Sequence, residues 1–575
     1  MKNPGDSFYN NKQTIGLTLL ILFALLIPNG AAMPPHPDVI TSGNSEAGES
    51  PGKIIIYNPD PELNAPSKLL EIANSEISGS FKALAVLINF SDKANSVNPA
   101  DFDTVLFVNQ QGSVRHYYNE MSFGQLDIVT VNLPSAIGWI TAPQTYAYYC
   151  NGQNGTGAYP LNSQKLCEDI IDLIDPIIDF SQYDNNDNGY VDLLILIHTG
   201  PGAELFGPDS TDYIWSHKWS ISPRSKDGVS IYEYTIQPEY WFSPGDITCG
   251  VFCHELGHIF GLPDLYDRDN SSNGIGRWSL MSYGSWLGPN SLGGTPAGLD
   301  AWSRIELGFN NYTNVSSNSH GVTIGNVEEG GAIYRLWSSG GIGNQYFLVE
   351  NRQKIGYDTY LPSDGLLIWH IDETRSGISN SNNDYEWYPG HTTGGNYLVA
   401  LEQSDGLFEL DKNISKGNSG DPFPGSYAVT EFTPSTTPNS NNYNGDNTYV
   451  SIENISASGP TMTADFYVSL LSDINEELSL IKPASFSLGQ NFPNPFNPQT
   501  SIEIELSFES SVSLKIYDIL GRLIDTPLEG KLRSGKHRVK WNCENNREDK
   551  LSAGIYIYKL VTDFGTDSKT MTLLK

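Results

Sequence analysis

The sequence predicts a multidomain protein in which a mixed α/β (α+β) domain precedes two domains built from β-strands. Three observations lead to this prediction. The chain of 575 residues is long enough for three or four domains of about 150 residues each. Helix and strand patterns alternate between residues 80 and 310. From residue 311 onward, short alternating runs are separated by Gly, Asn, Ser and Pro turns, which is typical of β-sandwiches.

The charge of the chain excludes several classes of partner. Acidic residues outnumber basic ones 66 to 33, so the formal net charge is −33. A surface this negative repels phosphate backbones and anionic headgroups, so we expect no nucleic-acid partner. Hydrophobic residues make up 39% of the chain, which is too many for a disordered acidic protein.

An apolar run at residues 15–27 (IGLTLLILFALLI) predicts export. The run is too short to span a bilayer as a helix, which needs about 20 residues. Lys2 and Lys12 precede it, and the small residues Gly30, Ala31 and Ala32 follow it as a signal peptidase site. We therefore predict a signal peptide over residues 1–32, no transmembrane anchor after its removal, and a secreted protein.

Residues 33–79 are rich in Pro, Asn and Ser and show little periodicity, so we predict a pro-segment or linker. This stretch contains no cysteine, so a thiolate cannot block a metal. If this segment inhibits the protein by blocking the metal, a carboxylate such as that of Asp60 or Glu62 would have to do so.

The five cysteines fit an oxidising compartment. Cys150, Cys167, Cys249 and Cys253 can form two disulfides in three pairings, and Cys543 then remains alone. Export favours oxidation over a thiolate metal cluster.

The elements of the region 80–310 follow from local patterns. The run KALAVLINF at residues 82–90 predicts a strand, and residues 115–121 (RHYYNEM) predict one face of a helix. Apolar spacing near 3.6 predicts a helix over residues 161–180. The continuous apolar run at residues 191–197 predicts a fully buried strand.

The rest of the chain is predicted to form β structure in two parts. Residues 311–469 form a predicted β-sandwich domain, and residues 470–484 link it to a final module at 485–575 that alternates like an immunoglobulin-like sandwich. The strands predicted for these two domains lie at residues 345–350, 365–371, 396–402, 501–506, 511–517, 536–541 and 554–561.

The sharpest motif is CHELGHIFGLPD at residues 253–264. His254 and His258 are four residues apart on a predicted helix, so both imidazoles lie on one face and can reach one metal ion. Glu255 lies beside the first histidine and can take a proton from a water molecule at the metal. The alternative is a pair of histidines whose hydrogen bonds are satisfied inside a core helix.

The residues that follow the motif favour a catalytic zinc site. Gly261 can take the positive φ of a helix end, and Pro263 prevents the helix from resuming. The returning chain then delivers Asp264, whose carboxylate can be the third ligand and leaves a fourth position for water. Downstream, the sequence WSLMSY offers Met281 beneath the metal, with Tyr283 two residues later.

A second predicted metal site is a calcium loop at residues 184–192 (DNNDNGYVD). Asp184, Asn186, Asn188 and Asp192 supply oxygens, and a glycine stands at the sixth position, as in the first half of an EF-hand loop. The glutamate of position 12 is missing, because Ile195 stands there. The alternative is a solvated Asn/Asp turn before a strand.

The extended HExxHxxGxxD motif with its Ser-Leu-Met-Ser-Tyr turn resembles the metzincin-like zinc peptidases. Residues 80–470 resemble the immune inhibitor A family of secreted bacterial metallopeptidases, through stretches such as ALAVLINFSD, HYYNEMSFGQL, IWSHKW, YFLVENRQ, GLLIWHID and GDPFPG. The resemblance implies a metzincin-like fold and a zinc endopeptidase acting on broad protein substrates.

Carried over to this sequence, the resemblance makes His254 and His258 zinc ligands and Glu255 the general base. Some zincins take the third ligand from further downstream, so Glu306 is the alternative to Asp264. Tyr283 matches the metzincin position that stabilises the oxyanion, and Met281 would form the hydrophobic floor of the site.

The final module carries its own resemblance. The stretches LGQNFPNPFNP, LKIYDILGRL and LSAGIY resemble the C-terminal sorting domain that the type IX secretion machinery reads. The likeness covers residues 485–575 and implies transport across the outer membrane, followed by release or surface attachment. An ordinary immunoglobulin-like binding domain is the alternative.

Two functions of other classes remain open at this level. The chain would be a catalytically idle surface adhesin if the fold served only as a scaffold, although an intact Glu255 argues against this. The domain at residues 311–469 would be a glycan-binding module if it targeted the enzyme to a surface.

Overall fold

A computed structural model describes residues 31–37, 77–207, 210–375, 383–392, 395–469, 486–506, 510–519, 521–543, 551–562 and 565–574. The apolar run at residues 15–27, the carboxylates Asp60 and Glu62 and the linker at 470–484 lie outside the described residues. No helix of the described part is long and apolar enough to cross a membrane.

The first region contains all seven α-helices of the described residues. They are α1 Pro99–Phe107, α2 Val114–Met121, α3 Pro134–Ile137, α4 Tyr146–Cys150, α5 Ser163–Ile174, α6 Cys249–Ile259 and α7 Ala301–Glu306. The prediction of a helix at residues 115–121 is confirmed by α2. Helix α5 ends earlier than predicted because Pro176 has no N–H group to donate to the preceding turn.

The strands of this region are β1 Ala31–Ala32, β2 Gly79–Lys82, β3 Leu84–Asn89, β4 Leu126–Val129, β5 Trp139–Thr141, β6 Leu194–Pro201, β7 His217–Lys226 and β8 Val229–Tyr240. Six of them form one sheet in the order β1-β7-β8-β6-β3-β5, while β2 pairs with β4. Strands β8, β6, β3 and β5 run parallel, whereas β7 is antiparallel to both of its neighbours. The predicted strands at residues 82–90 and 191–197 are thus confirmed as β3 and β6.

The two faces of the central sheet are both covered. Alternate residues of β3 and β6, such as Leu87 and Ile197, belong to the core that also contains α1, α2 and α6. The residues between them, such as Val86 and Leu196, pack in the second core with α4 and α5. Burial on both faces explains why these strands are continuously apolar.

The second region consists of β-strands from residue 312 onward, and its strands at 345–350 and 365–371 are confirmed. Its strands are β9 Tyr312–Asn314, β10 Ser319–Gly325, β11 Ile333–Leu336, β12 Gln345–Arg352, β13 Gly365–Asp372, β14 Val399–Leu401, β15 Ser451–Glu453 and β16 Thr461–Tyr467. They form a five-stranded sheet, β14-β13-β12-β11-β9, and a three-stranded sheet, β10-β16-β15. A shared apolar core contains residues of both sheets.

One face of the five-stranded sheet belongs to the core of the first region. Leu348 and Trp369 lie in the same apolar cluster as α6. Arg352 at the end of β12 is fully buried. Its Nη2 donates to Asp358 at 2.6 Å, and its Nη1 donates to the Leu299 carbonyl at 3.2 Å. The guanidinium thus ties the β region to the chain that precedes α7.

The last region contains β17 Phe486–Leu488, β18 Gln499–Leu506, β19 Ser510–Asp518, β20 Leu523–Leu532, β21 Gly535–Asn542, β22 Gly554–Thr562 and β23 Gly565–Leu573. They form the sheets β17-β18-β21 and β20-β19-β22-β23. Inward-facing residues of both sheets share one core, and all four strands predicted here are confirmed.

The expectation of two disulfides is wrong. All five cysteines lie in the described part of the chain, where all five are buried and none forms a disulfide. Their burial follows from packing: Cys150 and Cys167 belong to one face of the central sheet, and Cys249 and Cys253 belong to the other.

Candidate metal and active site

Helix α6 carries the motif and ends where the sequence predicts. Gly261 has φ +98°, a conformation that side chains with a Cβ rarely adopt. The Leu262 N–H donates to the Gly257 carbonyl at 3.0 Å, and the Gly261 N–H donates to the His258 carbonyl at 3.1 Å. This pair of bonds is a Schellman motif, and it turns the chain back toward the helix. Asp264 therefore reaches the face that carries the two histidines.

Three buried acceptor atoms converge at this face. The two Nε2 atoms of His254 and His258 lie 3.2 Å apart. Oδ1 of Asp264 lies 3.2 Å from the first and 3.1 Å from the second. Among the described residues, these three side chains form a group that can hold a metal ion.

The tautomers of the histidines explain why the group fits a cation. Nδ1 of His254 donates to the Leu280 carbonyl at 2.9 Å, and Nδ1 of His258 donates to the Leu262 carbonyl at 2.8 Å. Each neutral ring therefore presents a lone pair at Nε2. Burial also lowers the pKa of His258, which favours this neutral form. Two lone pairs and a carboxylate at about 3 Å repel one another unless a cation lies between them.

Glu255 lies on the same helix, and its carboxylate is fully buried. Neither of its oxygens has a hydrogen-bond partner of normal geometry among the described residues. Burial raises the pKa of Glu255 well above its usual range, and the charges of Asp264 and Glu204 add to this rise. The backbone N–H groups of Met33 and Lys218 act in the opposite direction and lower the pKa of Glu255. A carboxyl group with a raised pKa and no fixed partner is suited to proton transfer.

Met281 lies directly beneath the helix. A Cβ atom added to Gly257 would lie 2.5 Å from the Met281 Sδ atom, so the glycine allows this close approach. The Met281 carbonyl accepts a hydrogen bond of 2.8 Å from the Leu265 N–H, which anchors the chain just after Asp264. The role of Met281 as a hydrophobic floor beneath the metal stays a prediction.

Tyr266 lies near the histidines, and Tyr283, the tyrosine that the sequence analysis selected, packs next to Tyr266. The Tyr266 ring centroid lies 6.4 Å from that of His254, and the Tyr283 centroid lies 6.2 Å from that of Tyr266. Burial raises the pKa of both phenols. Tyr266 is therefore a site residue that the sequence analysis missed, although it follows Asp264 by only two positions.

The alternative third ligand, Glu306, does not belong to the group of His254, His258 and Asp264. Glu306 lies at the end of α7 beside Glu373, and burial together with that charge raises its pKa to about 6. The structure thus groups Asp264, and not Glu306, with the histidines.

The predicted calcium loop precedes β6, and its side chains hold one another. Asp184 accepts from the N–H groups of Asn188 at 3.0 Å and Gly189 at 2.8 Å. Asp192 accepts from the Asn185 N–H at 2.6 Å, and burial raises its pKa to about 6. The Oδ1 atoms of Asp184 and Asn186 both contact the Asn188 N–H, so these two proposed ligands already converge.

The structure also brings together the carboxylates of Asp267, Asp269 and Glu386, a second group that the sequence analysis missed. Asp267 accepts from the Asp269 N–H at 2.9 Å and from the Ser271 hydroxyl at 2.8 Å. The sequence signal that could have pointed to this group is that Asp267 follows the predicted ligand Asp264 by three residues.

A short N-terminal segment lies against the site. We call residues 31–37 the cleft segment. Its strand β1 runs antiparallel to β7, with Ala31 opposite Lys218 and Ala32 opposite His217. The next residue, Met33, is 1% exposed. Without the cleft segment, β7 would be the edge of the six-stranded sheet.

Comparison with known proteins identifies two regions of the chain. Residues 102–311 match the catalytic domain of the immune inhibitor A peptidase M6 family, and residues 490–573 match the secretion system C-terminal sorting domain. These matches confirm the two resemblances drawn from the sequence. The sorting-domain match indicates an extracellular or cell-surface protein.

The relatives share only part of their length with this chain. The pre-pro-metalloprotease PrtV of Vibrio cholerae is 30% identical over 224 residues, which cover 33% of this chain and 23% of PrtV. The immune inhibitor A of Bacillus thuringiensis is 32% identical over 208 residues, which cover 30% and 28% of the two chains. This chain therefore spans about a quarter of the length of these curated relatives.

Among solved structures, OgpA from Akkermansia muciniphila covers 86% of this chain and 93% of its own, at 11% identity and a TM-score of 0.21. A TM-score this low gives no information about the fold of this chain.

Proposed function

We propose that this chain is a secreted zinc metalloendopeptidase in which His254, His258 and Asp264 hold the metal and Glu255 is the general base. The observation that carries the proposal is the convergence of three buried acceptor atoms within 3.2 Å of one another. Zinc suits two imidazoles and one carboxylate, with a fourth position left for water or substrate. The match of residues 102–311 to a peptidase catalytic domain supports the same activity.

The residues of the chain divide the chemistry between them. When bound, zinc supplies a Lewis acid that polarises a peptide carbonyl and lowers the pKa of water toward ~7. Glu255 takes the proton from the attacking water and returns it to the leaving amine nitrogen. Burial and the nearby charges of Asp264 and Glu204 raise the pKa of Glu255, which makes it a stronger base toward the attacking water. Tyr283 donates a hydrogen bond to the negative charge that develops on the carbonyl oxygen.

The substrates we propose are proteins or peptides in an extended conformation. Strand β7 presents its backbone next to Glu255, and main-chain hydrogen bonds to such a strand do not depend on the sequence of the bound chain. This mode of binding accounts for broad protein substrates.

Export and domain organisation complete the proposal. The chain would carry a signal peptide at 1–32, a pro-segment or linker at 33–79, the peptidase domain at 80–310, a β-sandwich at 311–469, a linker at 470–484 and an immunoglobulin-like sorting domain at 485–575. The type IX secretion machinery would be the partner of the last domain, as its sorting-domain match suggests.

We also propose structural calcium at Asp184, Asn186, Asn188 and Asp192. Extracellular calcium is abundant, so a weak oxygen site would be filled. Added calcium should raise the melting temperature of the protein, and Asp184→Asn should remove that gain. Asp179→Asn is the matched control, because this exposed aspartate lies just before the loop. An equal gain in both variants would contradict the site.

The decisive experiment compares Glu255→Gln with Glu306→Gln. We expect Glu255→Gln to retain zinc, measured by elemental analysis, and to lose casein digestion by at least a hundredfold. Glu306→Gln should retain both, because Asp264 is the third ligand. Casein digestion by Glu255→Gln would contradict the mechanism, and loss of zinc from Glu306→Gln would favour the alternative ligand. Zinc binding without any digestion by the unmodified protein would favour the scaffold function.

A further inference from the structure

A cavity of about 240 Å³ lies beside the end of strand β3. We call it the β3 crevice, and its lining residues are Asp92, Lys93, Tyr146, Ala147, Cys150, Gly152 and Asp212. Helix α4 supplies three of these residues. This helix packs on one face of the central sheet, whereas α6 packs on the other face. The crevice is therefore separate from the site at His254 and His258.

The topology of the sheet favours a ligand site at this place. Strands β3 and β6 are neighbours and run parallel. The chain leaves β3 toward β5 on one side of this pair and leaves β6 toward β8 on the other side. Where the connections of two adjacent parallel strands diverge, a crevice forms outside their carboxyl ends, and ligands of α/β proteins bind there. Lys93, four residues after β3, meets the end of β6: a Cβ atom added to Gly200 would lie 2.7 Å from the Lys93 Nζ atom.

The amine of Lys93 has no fixed polar partner. Its Nζ atom lies 3.7 Å from the centroid of the Tyr146 ring and 5.1 Å from that of Tyr213. Within the described part of the chain, Nζ forms neither a hydrogen bond nor an ion pair. Burial lowers the pKa of Lys93 to about 8, and the charge of Asp92 offsets only part of this fall. A ligand carboxylate would supply the stabilisation that the ammonium group lacks.

The charges of the crevice favour a ligand that carries both signs. Asp92 and Asp212 add two carboxylates to the single ammonium group of Lys93. The Cys150 thiol stays neutral, because burial raises its pKa to about 11. The two carboxylates would repel a simple anion, and Lys93 would repel a simple cation. A molecule with one ammonium group and one carboxylate group pairs with both kinds of side chain.

The Asp92 carboxylate is fixed before any ligand binds. Its Oδ1 atom accepts from the Tyr146 N–H at 2.7 Å, and its Oδ2 atom accepts from the Ala147 N–H at 3.2 Å. A carboxylate has about four acceptor positions, so positions remain for a ligand ammonium group. The cavity is also smaller than the roughly 300–1,000 Å³ of pockets that hold drug-sized molecules, so the ligand must be small.

We infer that the β3 crevice binds a free α-amino acid as its zwitterion. The ligand carboxylate lies at Lys93, and the ligand ammonium group lies at Asp92 and Asp212. The Tyr146 ring and the Cys150 side chain provide the apolar part of the lining. This inference does not depend on the proposed peptidase activity.

The first experiment measures the binding of four probes to the Glu255→Gln protein by ligand-observed NMR. L-leucine carries both charges, L-leucinamide carries only the positive one, and N-acetyl-L-leucine carries only the negative one. We expect L-leucine to bind about tenfold more tightly than either, because each lost charge removes a charge-assisted hydrogen bond. Leucyl-leucine tests the size limit and should also bind about tenfold more weakly. No binding of L-leucine, equal binding of the first three probes, or tighter binding of the dipeptide would overturn the inference.

Two pairs of variants place the probe in the crevice. Lys93→Met removes the ammonium group but keeps a long stem, and it should weaken L-leucine binding by about tenfold. Lys354→Met changes an exposed lysine outside the crevice and should bind as before. Ala147→Trp fills the crevice from an exposed position and should abolish binding, whereas Ala136→Trp on α3 should not. Equal binding by the two members of either pair would overturn the inference.

Chemical footprinting tests the same contact without any substitution, so it does not depend on the folding of a variant. Acetic anhydride acylates unprotonated amines, and mass spectrometry gives the ratio of acylation at Lys93 to that at Lys354. Saturating L-leucine should lower this ratio by at least threefold, whereas N-acetyl-L-leucine and L-leucinamide should leave it unchanged. An unchanged ratio with L-leucine would overturn the inference, and neither result bears on casein digestion.

Discussion

The Nε2 atoms of His254 and His258 lie 3.2 Å apart, and the Asp264 carboxylate lies within 3.2 Å of each. Both rings donate through Nδ1 to backbone carbonyls, so each Nε2 of the neutral rings is an acceptor. A metal cation at the centre of these acceptors removes their mutual repulsion. The stability of the protein should therefore depend on its metal.

Removing the metal should lower the melting temperature of the protein. A ligand present at a thousand times its dissociation constant stabilises the folded state by about 4 kcal/mol. We expect a chelator to lower the melting temperature and zinc to restore it, as measured by calorimetry. Asp264→Ala should abolish the response to zinc, whereas Asp269→Ala should retain it. An unchanged melting temperature in chelator would contradict a metal in this site.

Tyr266, which lies near His254, and Tyr283, which packs next to Tyr266, should differ in their effect on the reaction rate. Tyr283→Phe removes the proposed hydrogen-bond donor and should lower kcat by about a hundredfold, within the range seen for single oxyanion donors. Tyr266→Phe is the matched variant and should change kcat less. Zinc content should be equal in both, so that lost metal does not explain the result. The reverse ranking would assign the donor role to Tyr266.

The Glu204 carboxyl should make stability depend on pH. Burial raises the pKa of Glu204 to about 7, although the Ser216 N–H donates to it. Between the unfolded pKa of 4.5 and about 7, the folded state therefore binds more protons than the unfolded state. Stability should fall by up to about 3 kcal/mol as the pH rises through this window.

Glu204→Gln tests this dependence because it keeps an acceptor for the Ser216 N–H and removes the charge. We expect a higher melting temperature than wild type at pH 8 and little difference at pH 4.5. Glu329→Gln changes an exposed residue and should follow the wild-type curve. Parallel curves for Glu204→Gln and wild type would show that the carboxyl is not the titrating group.

Arg352 should be important for stability. Its guanidinium is fully buried and bonds Asp358, Glu350 and the Leu299 carbonyl. Arg352→Ala leaves these carboxylates without their cation and should cost about 3–5 kcal/mol. Arg538→Ala removes an ion pair between two exposed side chains and should change the melting temperature little. Similar melting temperatures for the two variants would contradict the role of Arg352.

Much of the site follows from residues that are close in the sequence. The spacing of His254 and His258, the helix end at Gly261 and the return of the chain to Asp264 span eleven residues. Helical periodicity and the positive φ of glycine act over this range, so a local pattern predicts them. The same holds for β3, β6 and the strands of the final module, whose apolar patterns are continuous or alternate.

Contacts between distant segments depended on the tertiary structure. Met281 lies beneath Gly257, Arg352 reaches the Leu299 carbonyl, and the cleft segment pairs with β7 across about 185 residues of chain. The pairing of the cysteines could not be predicted from local patterns either, because the side chains that each thiol packs against depend on the tertiary structure. The sequence alone predicted His254, His258 and Asp264 as candidate ligands, since short-range backbone geometry brings them together. Only long-range packing decided what lies against the site, because that depends on how whole elements bury their apolar faces.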